Sequence, residues 1–208
     1  MIQTALTIPP EAPVMVLPGG VLFPNGIMPL RIFEPRYRAM LEWALENDRM
    51  VCIAMMRPGI SEGVTEDQFF HTAGIGLVSA SVTQADGTSN LMLQGIARVR
   101  LKSFPVVKPF RIARIEVLTP VTCDPAMAEM LANDLRGQCS TIRVDGKPLP
   151  DSFTEMLGRI TDPDTLADAV AHSLISDSAY RQGLLGEPDA TARLRTILRL
   201  LREQFPGG

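Results

Sequence analysis

Short apolar runs bounded by glycine, proline and aspartate dominate the chain from Val14 to about Leu118, and that is the patterning of β-strands. The runs are VMVLP at 14–18, IMPLRIF at 27–33, MVCIAMM at 50–56, GIGLVSASV at 74–82, SNLMLQG at 89–95, ARVRLKSF at 97–104 and FRIARIEVL at 110–118. Asp86-Gly87, between two of them, predicts a tight hairpin whose central residues take positive φ. MVCIAMM is apolar without alternation, so it is expected to lie centrally with both faces covered. FRIARIEVL puts Phe110, Ile112, Arg114 and Glu116 on one face and Arg111, Ala113, Ile115 and Val117 on the other. Neither face is cleanly apolar, and an edge or rim position follows. One helix interrupts the strands: Pro35 suits a first helical position, Tyr37, Met40, Leu41, Ala44 and Leu45 follow at helical spacing, and Asn47-Asp48 is a polar stop.

After Thr119-Pro120 the period becomes helical. Asp124-Pro125 opens a helix with Met127, Met130, Leu131 and Leu135 on one face, and Asp162-Pro163 opens another with Leu166, Val170, Ala171 and Leu174. Each start pairs a capping acid with a proline whose missing N–H costs nothing there. A last helix carries Leu194, Ile197, Leu198, Leu201 and Phe205 on one stripe, with Arg193, Arg195, Arg199 and Arg202 largely outside it. The segment VDGKPLPDS at 144–152 reads as a flexible loop. The expected architecture is α+β, with a β-rich part over 1–120 and a helical part over 121–208.

With 208 residues, 46% of them hydrophobic, the chain can bury a core. A net charge of -3 gives no general attraction to nucleic acid or to an anionic membrane. The start, MIQTALTIPPEAP, lacks a signal-peptide pattern, and no apolar run approaches the roughly 20 residues that cross a bilayer. The cytoplasm is the expected compartment. One basic run, Arg98, Arg100, Lys102, Lys108, Arg111 and Arg114, contains no acid, and strand alternation would align Arg98, Arg100 and Lys102 as a phosphate track. Stacking aromatics are scarce, with one Trp and two Tyr, so a solvated strand face is the better reading and nucleic acid is not the expected partner.

Cys52, Cys123 and Cys139 are too widely spaced for a zinc site and read as free thiols in packed positions. No metal or cofactor is expected. Asp145-Gly146-Lys147-Pro148 has proline where a phosphate-binding loop needs a hydroxyl, and no G-x-S-x-G elbow or helical His-x-x-x-His pair occurs. His71 and His172 stand outside any motif and read as structural or merely exposed.

The stretch LPGGVLFPNGIMPLRIFEPRYRAML, Leu17 to Leu41, resembles the opening of the N-terminal LON domain of Lon-type ATP-dependent proteases, which also occurs in small standalone proteins. The matching elements are Leu17-Pro18, Leu22-Phe23-Pro24, Pro29-Leu30 and Ile32-Phe33-Glu34-Pro35-Arg36-Tyr37. Gly74-Ile75-Gly76, Asp86-Gly87 and LMLQGIARVRL at 91–101 are similar to the family's later strands, and the helical part is similar to the helices that follow them. The resemblance implies a PUA-like β pseudo-barrel followed by a helical subdomain. It also implies a non-catalytic, ATP-independent module that binds unfolded or partly exposed protein segments.

The expected binding surface comprises Pro18, Leu22, Phe23, Pro24, Met28 and Leu30, with Phe69 and Phe70 of the adjoining 57–70 loop. Helix-start chemistry explains most of IFEPRYR without a ligand, since Phe33 can pack back on the first turns and Glu34 faces the favourable end of the dipole. Arg36 and Arg38 are least explained and read as surface contacts. Two rival readings are an adaptor that docks on a larger protease or chaperone through its helices, and a small hydrolase using Cys52 or a serine within 78–90. Oligomeric state is left open.

Overall fold

Strands β1 (Glu11–Pro18), β2 (Ile27–Ile32), β3 (Met50–Met56), β4 (Thr72–Thr83), β5 (Ser89–Val106) and β6 (Arg111–Leu118) make one mixed sheet in the order β2-β5-β4-β3-β1-β6. The computed structural model describes residues 7–60 and 65–206. These divide into two units, one built on the chain up to Leu22 together with Ile27–Val117, the other on Phe23–Gly26 together with the chain from Leu118 onward.

In the first unit β5 also pairs with β6, so five strands close on themselves as a pseudo-barrel. Strand β2 is left over and pairs along the start of β5, from Ile27 opposite Gln94 to Ile32 opposite Ser89. β6 therefore has no free edge: its mixed faces reflect a closing strand laid between β1 and β5, and the expected edge position falls to β2 instead. β1 and β3 run parallel, which requires the long connection that β2 and helix α1 (Pro35–Glu46) supply. Strand β3 is buried on both faces as its composition predicts. Val51 and Ile53 join a core with Tyr37, Met40, Leu41 and Ala44 of α1. Met50, Cys52 and Ala54 join a second core with Val14, Phe69, Ile75, Val99 and Leu101.

The two runs at 89–104 are one strand of 18 residues, interrupted where Ile75 faces Ala97 and Gly76 faces Gly95, which leaves Ile96 as a bulge. The β4–β5 turn has positive φ only at Gly87, because the Asp86 carboxylate instead accepts from the Thr88 N–H and hydroxyl at 2.9 and 2.8 Å. Gly74 and Gly76 are where the chain after β1 crosses β4. A Cβ at Gly74 would strike the Leu22 carbonyl, and one at Gly76 would lie 2.7 Å from a Leu22 methyl. Phe33, expected to pack on the helix, is 62% exposed. Glu34 makes no side-chain cap and instead holds Arg36 at 2.7 Å.

The second unit contains α2 (Pro125–Thr141), α3 (Asp151–Arg159), α4 (Pro163–Leu174), α5 (Ser178–Gly186) and α6 (Ala190–Gln204). Aspartates cap four of these helices: Asp124 accepts from Met127 N–H at 3.0 Å and Asp162 from Thr165 N–H at 2.9 Å. Asp177 accepts from Ala179 N–H at 2.8 Å and Asp189 from Thr191 N–H at 3.1 Å. The segment expected to be a flexible loop is instead a hairpin of β7 (Arg143–Val144) and β8 (Lys147–Pro148). It turns on Asp145 and Gly146, both at positive φ, followed by α3.

Arg193 departs furthest from its expected place outside the apolar stripe. It is fully buried, paired with Asp164 and Asp168, and donates to the Glu187 carbonyl at 2.6 Å. Met130, expected on the packed face of α2, is 51% exposed. The segment Phe23–Gly26 packs in this unit, with the buried Phe23 ring edge-on to His172 at 6.3 Å between centroids.

Candidate functional site

The residues anticipated as a polypeptide-binding surface separate by burial. Leu22, Phe23 and Phe69 are each 0% exposed, so they are core residues and offer no contact surface. Leu22 bears on β4, Phe23 on His172, and Phe69 packs edge-on against Phe104 at 5.5 Å. Pro18 is exposed, while Pro24, Met28, Leu30 and Phe70 are half-buried. Met28 and Leu30 lie against the α1-side core, and the Phe70 ring is covered by the Arg57 guanidinium at 4.6 Å. Part of the 57–70 loop, Ser61–Val64, lies outside the described residues. Arg36 is engaged by Glu34, and Arg38 reaches under the β4–β5 turn to Gly87.

The structure gathers a different set on the outer face of β2, β5 and β4. Register places Pro29 opposite Met92 and Met92 opposite Ala80, making one row across three strands; Arg31, Asn90 and Val82 make the next. All six are exposed, whereas Leu91 and Leu93 between them point inward and are buried. The result is a groove of ≈ 420 Å³ floored by Pro29, Val82 and Met92. Ile27 and Phe33, 45% and 62% exposed, extend the same parity along the chain of β2. Arg31 and Asn90 are shared with a neighbouring polar hollow that Gln84, Asp86 and Thr88 complete. Pro29 is tolerated because β2 pairs on one side only, so a missing N–H on the other side breaks no ladder.

This surface was hard to read because IMPLRIF has three apolar residues in one phase of a strand and, in the other, Ile27, Pro29 and Phe33 around a single charge at Arg31. Arg31 does mark residues 27, 29, 31 and 33 as the outward phase, against the wholly apolar Met28, Leu30 and Ile32, but nothing in the run says which strands lie beside it to complete a groove.

The chemistry elsewhere is that of packed groups. Burial pushes the Cys52 thiol far up, and the Cys139 thiol is pushed up to about 11. Raised in this way, neither thiol favours the thiolate near neutrality, and Cys52 is fully buried in the β3 core. Cys123 is exposed, against the expectation of a packed thiol. Of the serines in 78–90, Ser79 donates to the Met92 carbonyl at 3.1 Å and Ser89 meets the Thr83 hydroxyl at 3.0 Å. The Tyr37 hydroxyl is raised by burial, with Arg36 opposing; it donates to the Val16 carbonyl at 3.0 Å and ties α1 to β1.

The alignment of Arg98, Arg100 and Lys102 that strand alternation would allow as a phosphate track does not form. Arg98 is 2% exposed, Lys102 bridges to Glu116 at 3.0 Å and Arg114 to Glu11 at 3.0 Å. Among the described residues no cluster of three or more His, Cys, Asp or Glu is arranged to hold a metal, and no helix is long and apolar enough to cross a membrane.

Comparison with known proteins agrees with the architecture. The family model of the ATP-dependent protease La (LON) substrate-binding domain matches residues 11–203. The chain is 29% identical to a Lon protease of Trichlorobacter lovleyi over 97% of its own length and 25% of that protein. It is 27% identical to a Lon protease of Desulfosudis oleivorans over 95% and 24%; it thus spans about a quarter of the relatives it matches. Among solved structures, the N-terminal domain of a Mycobacterium avium complex Lon protease superposes with a TM-score of 0.71 at 16% identity, covering 94% of this chain and 100% of that one. A Lon N-terminal domain protein from Xanthomonas campestris gives 0.64 at 18%, covering 91% and 97%. With its pseudo-barrel, its following helices and a match over nearly its whole length, the chain belongs to the LON substrate-binding domain family.

Proposed function

We propose that this protein binds unfolded or partly exposed polypeptide segments without cleaving them and without ATP, in the cytoplasm, and that the β2–β5–β4 face is where they bind. The observation that carries the proposal is the exposed apolar floor of Pro29, Val82 and Met92 beside an edge strand. Fully burying a side chain of this size contributes about 1.5–3 kcal/mol, and Met is a polarizable, adaptable contact for varied sequences. Arg31 and Asn90 at the end of the groove supply hydrogen-bond donors that orient a chain. Met28 and Leu30 support β2 from beneath; Pro18, Pro24 and Phe70 are secondary contacts in this reading.

The test is binding of the purified protein to reduced, alkylated α-lactalbumin with ATP absent and then present, each sample checked by mass for cleavage. Saturable binding, unchanged by ATP and roughly tenfold or more weaker for Met92→Glu and Val82→Glu, is expected. Binding that survives both substitutions would move the site elsewhere, and cleavage would overturn the non-catalytic reading.

A further inference from the structure

The apolar floor of the groove lies inside the free edge of the sheet. Pro29 belongs to the terminal strand β2, Met92 to the second strand β5 and Val82 to the third strand β4. Neighbouring strands stand about 4.8 Å apart, so a strand added outside β2 would run roughly 14 Å from β4, too far for its side chains to cover Val82. The edge is itself unsuited to an added strand. In an antiparallel pair alternate residues exchange bonds with the partner strand, and the residues between them turn their backbone groups away. The register runs without a shift from Ile27 opposite Gln94 to Ile32 opposite Ser89, through Pro29 opposite Met92. A proline has no N–H to exchange, so Met28 and Leu30 hold β5 while Pro29 and Arg31 turn their backbone to the open side. Halfway along that side β2 therefore presents a carbonyl and lacks a donor, an interruption by which edge strands resist pairing.

We propose that the β2–β5–β4 face takes a polypeptide segment by side chains laid over the sheet, without adding it to β2 as a strand. The inference rests on the binding reading above and names what is recognised in a segment: apolar side chains, irrespective of the backbone N–H groups on which strand addition depends. Apolar segments that contain proline accordingly bind as well as those that do not. Among the described residues Arg31 is the one charged group lining the groove, and Asp86 in the adjoining hollow already accepts from Thr88. Like charges set against each other select against a partner, so the class excludes segments with basic residues beside the apolar ones.

The experiment measures, by fluorescence anisotropy with the full chain, the affinity of a labelled peptide in which leucines alternate with glutamines, and of two analogues N-methylated on the backbone at one or the other alternate set. All three are expected to bind within about twofold of one another, and Met92→Glu to weaken each roughly tenfold. A loss of about tenfold in either analogue, with Met92→Glu still weakening the parent peptide, would overturn this inference and leave the groove standing. Binding that Met92→Glu does not change, or no saturable binding of the parent, would overturn the groove reading and this inference with it. Pro29→Val restores the missing donor and is expected to make binding sensitive to N-methylation; equal affinities in that variant would overturn the role given to Pro29. Lysines in place of the glutamines are expected to weaken binding several-fold, and an unchanged affinity would overturn the exclusion of basic segments.

Discussion

At Gly74 the absence of one methyl group sets the path of the chain, because the Leu22 carbonyl occupies the place a Cβ would take. Gly74→Ala is expected to destabilise the protein by about 1–3 kcal/mol, the usual range for overpacking. The check is a lowered urea midpoint at unchanged slope. The glycines of Gly74-Ile75-Gly76 are visible in the sequence, but the neighbour that makes them necessary lies about fifty positions earlier and is met only in the fold. Arg193 teaches the converse. A helical wheel places an arginine outside an apolar stripe, whereas Asp164 and Asp168 on α4 bring it inside by supplying the charge that burial requires. Leu22, Phe23 and Phe69 erred in the other direction: apolar residues in a loop-like setting read as contact surface, and packing took all three.

Helix starts were the most legible elements, since a cap needs only neighbouring residues. Asp162 accepts from the Thr165 backbone N–H at 2.9 Å and from the Thr165 hydroxyl at 2.6 Å. Asp162→Ala is expected to cost about 1 kcal/mol, read as a fall in thermal midpoint, with Asp162→Asn retaining most of the stability. The hairpin at Asp145-Gly146 obeys the same local rule as any two-residue turn, but its flanking prolines and short strands disguised it as a loop. Strand β2 is the harder case. Its composition is strand-like, yet its edge position, and with it the outward turn of Pro29 and the exposure of Met92 on the neighbouring strand, depends on which strands pair.

Across the molecule, several carboxylates are held below the usual range. Lys102 lowers Glu116, the Thr65 hydroxyl lowers Asp67, and the Thr88 N–H and hydroxyl lower Asp86. Burial tends to raise Asp189, but the N–H groups of Cys123, Thr191 and Ala192 outweigh it and the net shift is downward. A carboxyl with a depressed folded pKa contributes stability above its unfolded value and loses it as pH falls through the folded one. The urea midpoint is therefore expected to hold above roughly pH 4 and to fall below it, with a smaller fall in Asp189→Asn. A midpoint unchanged down to pH 3 would contradict this account. Periodicity, caps and turn residues, all properties of neighbours in the chain, determined by themselves the α+β class, the central β3 and the strand-then-helix order, while the motifs of Leu17 to Leu41 carried the family resemblance. Tertiary structure alone decided the barrel closure by β6, the burial of Leu22, Phe23, Phe69 and Arg193, and the exposed β2–β5–β4 face. Each of these depends on contacts between residues far apart in sequence, which local pattern does not encode.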